Sequence, residues 1–255
     1  MIKIENAEVV GWEAAIRGMR NPMNSWAKSD SGMVDFYDST FNDDDMGEYA
    51  SYAGLYKIGP NDKKLMKSLA LAGPTHAKYR RMIVVYVDIT APLYWWKEAS
   101  TYKVGTVANS CSTMHKIAAK EFELDDFSHE HLFDASSMSE GNQFTAVNVD
   151  GDTCYYTPKG LLQMTCQVLN HYRELYIQTK NKKYWWQMIQ LLPSSYNQRR
   201  TLMLNYEVLH NIYETRKDHK LDEWRKFCEW IEELPLAEAI IFPREEDEYV
   251  DSDYV

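Results

Sequence analysis

Cysteine is scarce in this 255-residue chain, which carries only Cys111, Cys154, Cys166 and Cys228. No two of them form a CxxC pair, so neither a recognisable zinc pattern nor a disulfide scaffold is present. Long apolar runs are missing as well, none approaching the ~18 residues that a membrane span needs. The opening MIKIENAEVV places an acidic residue where a signal peptide would be apolar. Together these absences predict a cytoplasmic protein with no membrane partner. Positive charge is in deficit: 28 Lys and Arg face 38 Asp and Glu, a formal net charge of −10. A field of that sign repels long nucleic acids and anionic bilayers. It leaves room for a small phosphorylated ligand, because a few local cations dominate a pocket. No internal repeat is visible, and no complete catalytic constellation stands out from the residues alone.

Aromatic residues, in contrast, are plentiful, with 18 Tyr and 8 Trp. They bring large apolar area with a polar handle, which suits subunit interfaces and ligand pockets as well as cores. Acidic charge gathers after Pro243, where Glu245, Glu246, Asp247, Glu248, Asp251 and Asp253 read as a solvated tail or an acidic peptide for a partner. The length favours one domain over residues 1–242, with the tail at 243–255. Residues 29–59 and 121–158, rich in Asp, Ser, Tyr, Gly and turn residues, read as surface excursions.

Met1–Val10 alternates as a strand, and Asn61–Ala72 is predicted as a helix between Pro60 and Gly73-Pro74. Met82–Thr90 is a second predicted strand, with Ile83, Val85, Val87 and Ile89 on one face. Ala91-Pro92 opens a predicted helical segment through Lys103. Beyond Pro158, Met164, Val168, Tyr172 and Leu175 follow helical spacing, and a further helix runs to Leu192-Pro193. The next helix is predicted over Arg199–Lys217, its apolar stripe formed by Leu202, Tyr206, Leu209, Ile212 and Tyr213. Asn205 and Arg216 fall on that stripe about three turns, roughly 16 Å, apart. A buried Arg needs a partner, so Arg216 is either an internal or subunit contact or part of a pocket wall. Leu221–Glu233 is predicted as the last ordered helix.

Three other groups are candidates for chemistry. His76, Lys78, Arg80 and Arg81 gather cations just before a strand, as a local positive site or a solvated turn. Cys111, among small hydroxyl residues and four positions before His115, is a candidate activated thiol or an inert small residue. His129 and His131 flank Glu130, a poor metal pattern better read as an exposed acidic loop; no metal site is predicted.

Read in order, these pieces resemble the flavin-dependent thymidylate synthase family. The register runs from His76 through Ala91-Pro92 to Lys116, and again from Leu192-Pro193 through Asn205 to Arg216, within matching regions 61–116 and 160–232. The resemblance implies an α+β fold with a central, mostly antiparallel sheet and packed helices. It implies FAD as cofactor, a pyrimidine nucleotide as ligand, one-carbon transfer fed by a folate and NADPH, and a homotetramer. It puts His76, Lys78, Asn205 and Asn211 on the flavin side, and Arg216, with Arg199 and Arg81, on the substrate side. The family's Arg-His-Arg is replaced by Thr101, Tyr102 and Lys103, its Ser by Cys111, a phosphate-binding Arg by Thr113, and the Arg before Leu-Pro by Ile189, or by Gln190 with a shift. Lys103 and Cys111 are the catalytic candidates that remain, and Arg80, Arg81, Arg199 and Arg200 are candidate replacements for the missing charge. These departures leave two expectations: a divergent flavin-dependent enzyme, or a non-catalytic nucleotide or metabolite binder on the same scaffold.

Overall fold

A computed structural model describes residues 2–33, 56–134 and 143–244. The acidic run after Arg244 and the middles of both predicted excursions lie outside the described residues. Among the described residues the elements run β1 (Lys3–Val10), α1 (Trp12–Arg20), β2 (Gly32–Met33), β3 (Tyr56–Lys57), α2 (Pro60–Leu71) and β4 (Val84–Pro92). They continue with α3 (Leu93–Ala99), β5 (Thr106–Ser110), α4 (Thr113–Lys116), β6 (Phe144–Val147), β7 (Thr153–Tyr156), α5 (Pro158–Thr179) and α6 (Lys182–Leu191). The last are β8 (Asn197–Asn205), α7 (Tyr206–Arg216), α8 (Asp222–Glu232) and α9 (Ala237–Ile240).

Four strands form one sheet in the order β1-β4-β8-β5. Ile83 accepts from the Tyr206 N–H at one end of β4, and Leu93 donates to Tyr196 at the other, so β4 and β8 run antiparallel. Two small antiparallel ladders pair β2 with β3 and β6 with β7. No helix among the described residues is long and apolar enough to cross a membrane.

The alternation in β4 is realised as predicted. Ile83, Val85, Val87 and Ile89 are buried, while Tyr86 is exposed and Val84, Asp88 and Thr90 are half-buried. The helix predicted over Arg199–Lys217 forms only in its second part. Its first part is strand β8, where buried Leu202 and Leu204 alternate with exposed Thr201 and half-buried Met203. The chain turns helical only at Asn205, whose Oδ1 accepts the Val208 N–H at 3.0 Å and so caps α7. Asn205 and Arg216 are therefore the two ends of an 11-residue helix, not members of one longer stripe. The segment predicted as helical through Lys103 stops at Ala99. In α5 the buried positions are Leu162, Cys166 and Leu169, whereas Met164 and Val168 from the predicted stripe are 43% and 41% exposed. Within the predicted 121–158 excursion, Phe122 and Phe127 turn inward.

The chain divides into two compact units. The first comprises Met1–Lys3, Thr90–Ser100 and Ser110–Arg200; the second comprises Ile4–Ile89, Thr101–Asn109 and Thr201–Val255. In the first, Leu162, Cys166 and Leu169 of α5 pack with Ile117, Phe122, Phe127 and Met188. The second buries Trp12, Met66, the Ile83–Ile89 face, Leu209, Trp224, Phe227 and Ile231. It also buries charge. Asp62 is 0% exposed and accepts from Arg20 Nε at 2.6 Å, from the Ser29 and Ser31 hydroxyls, and from the Asp30 and Ser31 N–H groups. With that many donors its lone pairs are committed, which makes it a structural anchor.

Candidate functional site

In the second unit, Arg216 closes α7 and lies half-buried, with its guanidinium carbon 4.8 Å from the centre of the Trp224 ring and 5.7 Å from that of Tyr102. Such stacking orients a guanidinium while leaving its in-plane nitrogens for hydrogen bonds. Arg216 Nε donates to the Tyr102 hydroxyl at 2.9 Å. That hydroxyl is 2.8 Å from Thr215 Oγ1, which itself donates to the Asn211 carbonyl at 2.7 Å. Thr215 has one proton and spends it there, so the Tyr102 proton points at Thr215. The result is a directed relay from Arg216 through Tyr102 and Thr215 to the backbone of α7. Arg216 is thus turned inward against aromatic rings, consistent with a pocket wall and equally with an internal contact.

Asn205 sits at the other end of α7, beside Gly105. Gly105 has φ +78°, and a Cβ there would collide with Asn205 Nδ2, so this backbone passes the cap at a distance that only glycine permits. Asn205 is therefore at least partly structural. Asn211 is exposed, as are His76, Lys78 and Arg81 in the turn before β4. The side chains of His76, Lys78 and Asn211 make no hydrogen bond to other described residues, so their donors are available. The fourth cation of that turn is not: Arg80 is 1% exposed and faces Glu207 at 3.7 Å. The predicted positive site before β4 therefore exposes three of its four side chains, His76, Lys78 and Arg81.

In the first unit a second cluster forms on β8. The Gln198 carbonyl accepts from Trp96 Nε1 at 2.8 Å, and its Nε2 donates to the Cys111 carbonyl at 2.8 Å and to Thr113 Oγ1 at 3.1 Å. Its Oε1 accepts from Arg200 Nε at 3.0 Å, and the Arg200 guanidinium lies 4.3 Å from the centre of the buried Trp96 ring. Arg199, one residue earlier, is exposed, and its carbonyl accepts from the Cys111 N–H. Cys111 is a free, exposed thiol. His115 does not activate it: its Nδ1 pairs with Ser112 Oγ at 2.6 Å, and no hydrogen bond joins it to Cys111 among the described residues. Lys103 is exposed in the turn before β5. Glu130 folds back to accept from Ser128 Oγ and the His129 N–H, and His129 Nδ1 lies 2.9 Å from the Phe127 carbonyl. No metal-ligand cluster occurs among the described residues.

In the sequence Tyr102 stands out only as a departure from the family pattern, and nothing local marks Trp224, Trp96 or Gln198. Trp96 and Gln198 lie 102 positions apart, and no local periodicity connects such a pair.

No protein-family model matches the chain, and no curated protein matches it. Solved structures do match. Thymidylate synthase ThyX from Helicobacter pylori with FAD and dUMP aligns with 94% of this chain and 96% of its own, at TM-score 0.57 and 15% identity. A second structure of that flavin-dependent enzyme, again complexed with FAD and dUMP, covers 94% and 97% at TM-score 0.56 and 16% identity. A UMP/dUMP methylase from Streptomyces cacaoi bound with 5-Br dUMP covers 95% and 94% at TM-score 0.52 and 11% identity. The fold is like that of flavin-dependent thymidylate synthase. At these identities the fold is what the likeness establishes, and it bears out the α+β architecture expected from the register of His76, Ala91-Pro92 and Leu192-Pro193.

Proposed function

We propose that this chain is a flavin- and pyrimidine-nucleotide-binding protein on a thymidylate synthase-like scaffold. The observation that carries the reading is the end-to-end likeness to structures that hold FAD or pyrimidine nucleotides. The half-buried Arg216, stacked on Trp224 and oriented through Tyr102, supports it, because a guanidinium fixed in plane by aromatic rings is the kind of side chain that reads planar bases and phosphates. The available donors of His76, Lys78 and Asn211 fit a flavin at the surface of the second unit, with Asn205 offering its Nδ2 beside the cap. Arg81 is the nearby exposed cation for a phosphate. A flavin, when bound, supplies the redox chemistry that this chain's side chains lack, and the chain's own part is to bind and orient.

A second reading, binding without turnover, is favoured by one feature. Tyr102 stands where the family pattern has its central His, and its hydroxyl is engaged by both Arg216 and Thr215. Thr101 and Thr113 add no charge where the pattern has Arg. One-carbon transfer is therefore the activity to test and nucleotide binding the property to expect first. Self-association belongs to the same proposal. Leu161, Met164 and Val168 form an exposed apolar line on α5 at helical spacing, and such a line is what a homotetramer would cover.

The test is the visible absorption of freshly purified protein, followed by titration with FAD and then dUMP. Flavin bands, native or acquired, that shift when dUMP is added are the expected result. Colourless protein that takes up no FAD and shows no thermal stabilisation by dUMP would overturn the reading. Stabilisation by dUMP with indifference to FAD would select the second reading.

A further inference from the structure

Arg20, Arg80 and Arg173 are all buried or half-buried, and each faces a carboxylate, Asp62, Glu207 and Glu121 respectively. Arg200 has none. It is half-buried, and burial pulls its pKa down. Its Nε is used by Gln198, its π face by Trp96, and its two outer nitrogens make no hydrogen bond or ion pair among the described residues. Neither outer nitrogen is sealed from solvent. The surroundings fix this guanidinium rather than neutralise it, because Gln198 is held by Trp96, Cys111 and Thr113 in turn. Partial desolvation of a cation is unfavourable unless an anion arrives to meet it. A planar guanidinium fork with its two outer nitrogens unengaged among the described residues matches a phosphate or a carboxylate.

We propose that Arg200, positioned by Trp96 and Gln198, is an oxyanion-binding site whose ligand is a phosphate monoester. The oxyanion chemistry stands on this cluster alone; that a nucleotide carries the phosphate rests on the functional reading above. On a chain with a net charge of −10, such a site is a local cationic spot and gives selectivity for phosphorylated over uncharged ligands.

Calorimetric titration of the full chain with dUMP, deoxyuridine, inorganic phosphate and acetate tests it. Wild type should bind dUMP roughly 10- to 100-fold more tightly than deoxyuridine, the range for charge-assisted hydrogen bonds. Arg200→Gln should erase that gap and leave deoxyuridine binding unchanged. Arg200→Lys, which keeps the charge and loses the fork, should retain only part of it, and it serves as the reading if Arg200→Gln does not fold. Equal dUMP affinity in wild type and both variants overturns the proposal and leaves the pyrimidine reading standing, as does a wild type that binds both ligands equally. If neither pyrimidine compound binds but inorganic phosphate does so through Arg200, the oxyanion site survives and the pyrimidine reading fails. Acetate binding as tightly as phosphate overturns the phosphate assignment, and binding of no anion overturns the site.

Discussion

In the second unit the Arg20 guanidinium meets a carboxylate at 2.6 Å, and that carboxylate gathers the hydroxyls and N–H groups of residues 29–31. In the first unit the Arg200 guanidinium rests on an indole and a carboxamide, with no counter-charge among the described residues. Both side chains are ordered by their surroundings, but only Arg20 is satisfied by them. The contrast separates an arginine that holds the fold together from one that the fold holds ready. It gives a working criterion for this molecule: substitutions at the satisfied anchors should cost stability, and substitutions at the held but unmatched cation should cost binding.

The largest expected effect is at Asp62. Asp62→Ala leaves Arg20 buried without its partner and should lower unfolding free energy by about 3–5 kcal/mol, read by urea denaturation. The same carboxylate has a pH signature. Burial alone would raise its pKa, yet hydrogen bonds from Ser29, Ser31 and Arg20 outweigh it and hold the carboxyl below the ordinary value of 3.8. A lowered folded value contributes stability that is fully present above the unfolded value and is lost as pH falls through the folded one. Asp62→Asn should flatten this acid limb of the stability profile, and a profile that keeps its slope would remove Asp62 from the account.

Gly105→Ala should come next, at about 1–3 kcal/mol, since it adds a Cβ at positive φ and drives it into the Asn205 cap. A variant as stable as wild type in a thermal melt would mean that the cap yields easily. Tyr102→Phe is milder. It removes one acceptor from Arg216 and one donor to Thr215, but Arg216 is only half-buried and stays on Trp224, so about 0.5–1.5 kcal/mol is expected. If Tyr102 positions Arg216 for a ligand, dUMP affinity should fall in the same variant while FAD uptake is unchanged. Parallel loss of both would indicate general loosening instead.

How much of this was legible beforehand depended on sequence distance. The β4 face Ile83–Ile89 and the helix after Pro60 could be read because period and punctuation are local. β8 could not. Arg199–Leu204 contains good helix formers, and Leu202, Tyr206, Leu209 and Ile212 satisfy a 3.6-residue period across the real boundary. The overlooked signal was Asn205 followed by Glu207, an N-cap with an acidic first turn, which marks a helix beginning there rather than six residues earlier. In α5 the spacing of Met164, Val168, Tyr172 and Leu175 does mark a helix, but spacing reports a face without saying what covers it. The candidate site was least legible. Arg216 is visible as a candidate, but Tyr102 reaches it across 114 positions and Gln198 reaches Thr113 across 85, pairings that no local pattern connects.

The smallest expected stability change is the most informative one. Arg200→Gln removes a stacked cation, and the cation–π contact it gives up is about 0.5–1 kcal/mol at a partly exposed site. Against that loss stands relief from holding a half-buried charge with no anion beside it, so the two contributions nearly cancel. The expected shift in unfolding free energy is within about 0.5 kcal/mol of zero. Arg20 offers no such neutrality, because its removal takes the counter-charge from buried Asp62 and the Arg20 donor from its Oδ1. Equilibrium unfolding of Arg200→Gln without ligand therefore tests the contrast directly. A loss of several kcal/mol would put Arg200 with Arg20 as a structural anchor, whereas near-neutral stability with weakened phosphate binding is the signature of a residue kept for what it binds.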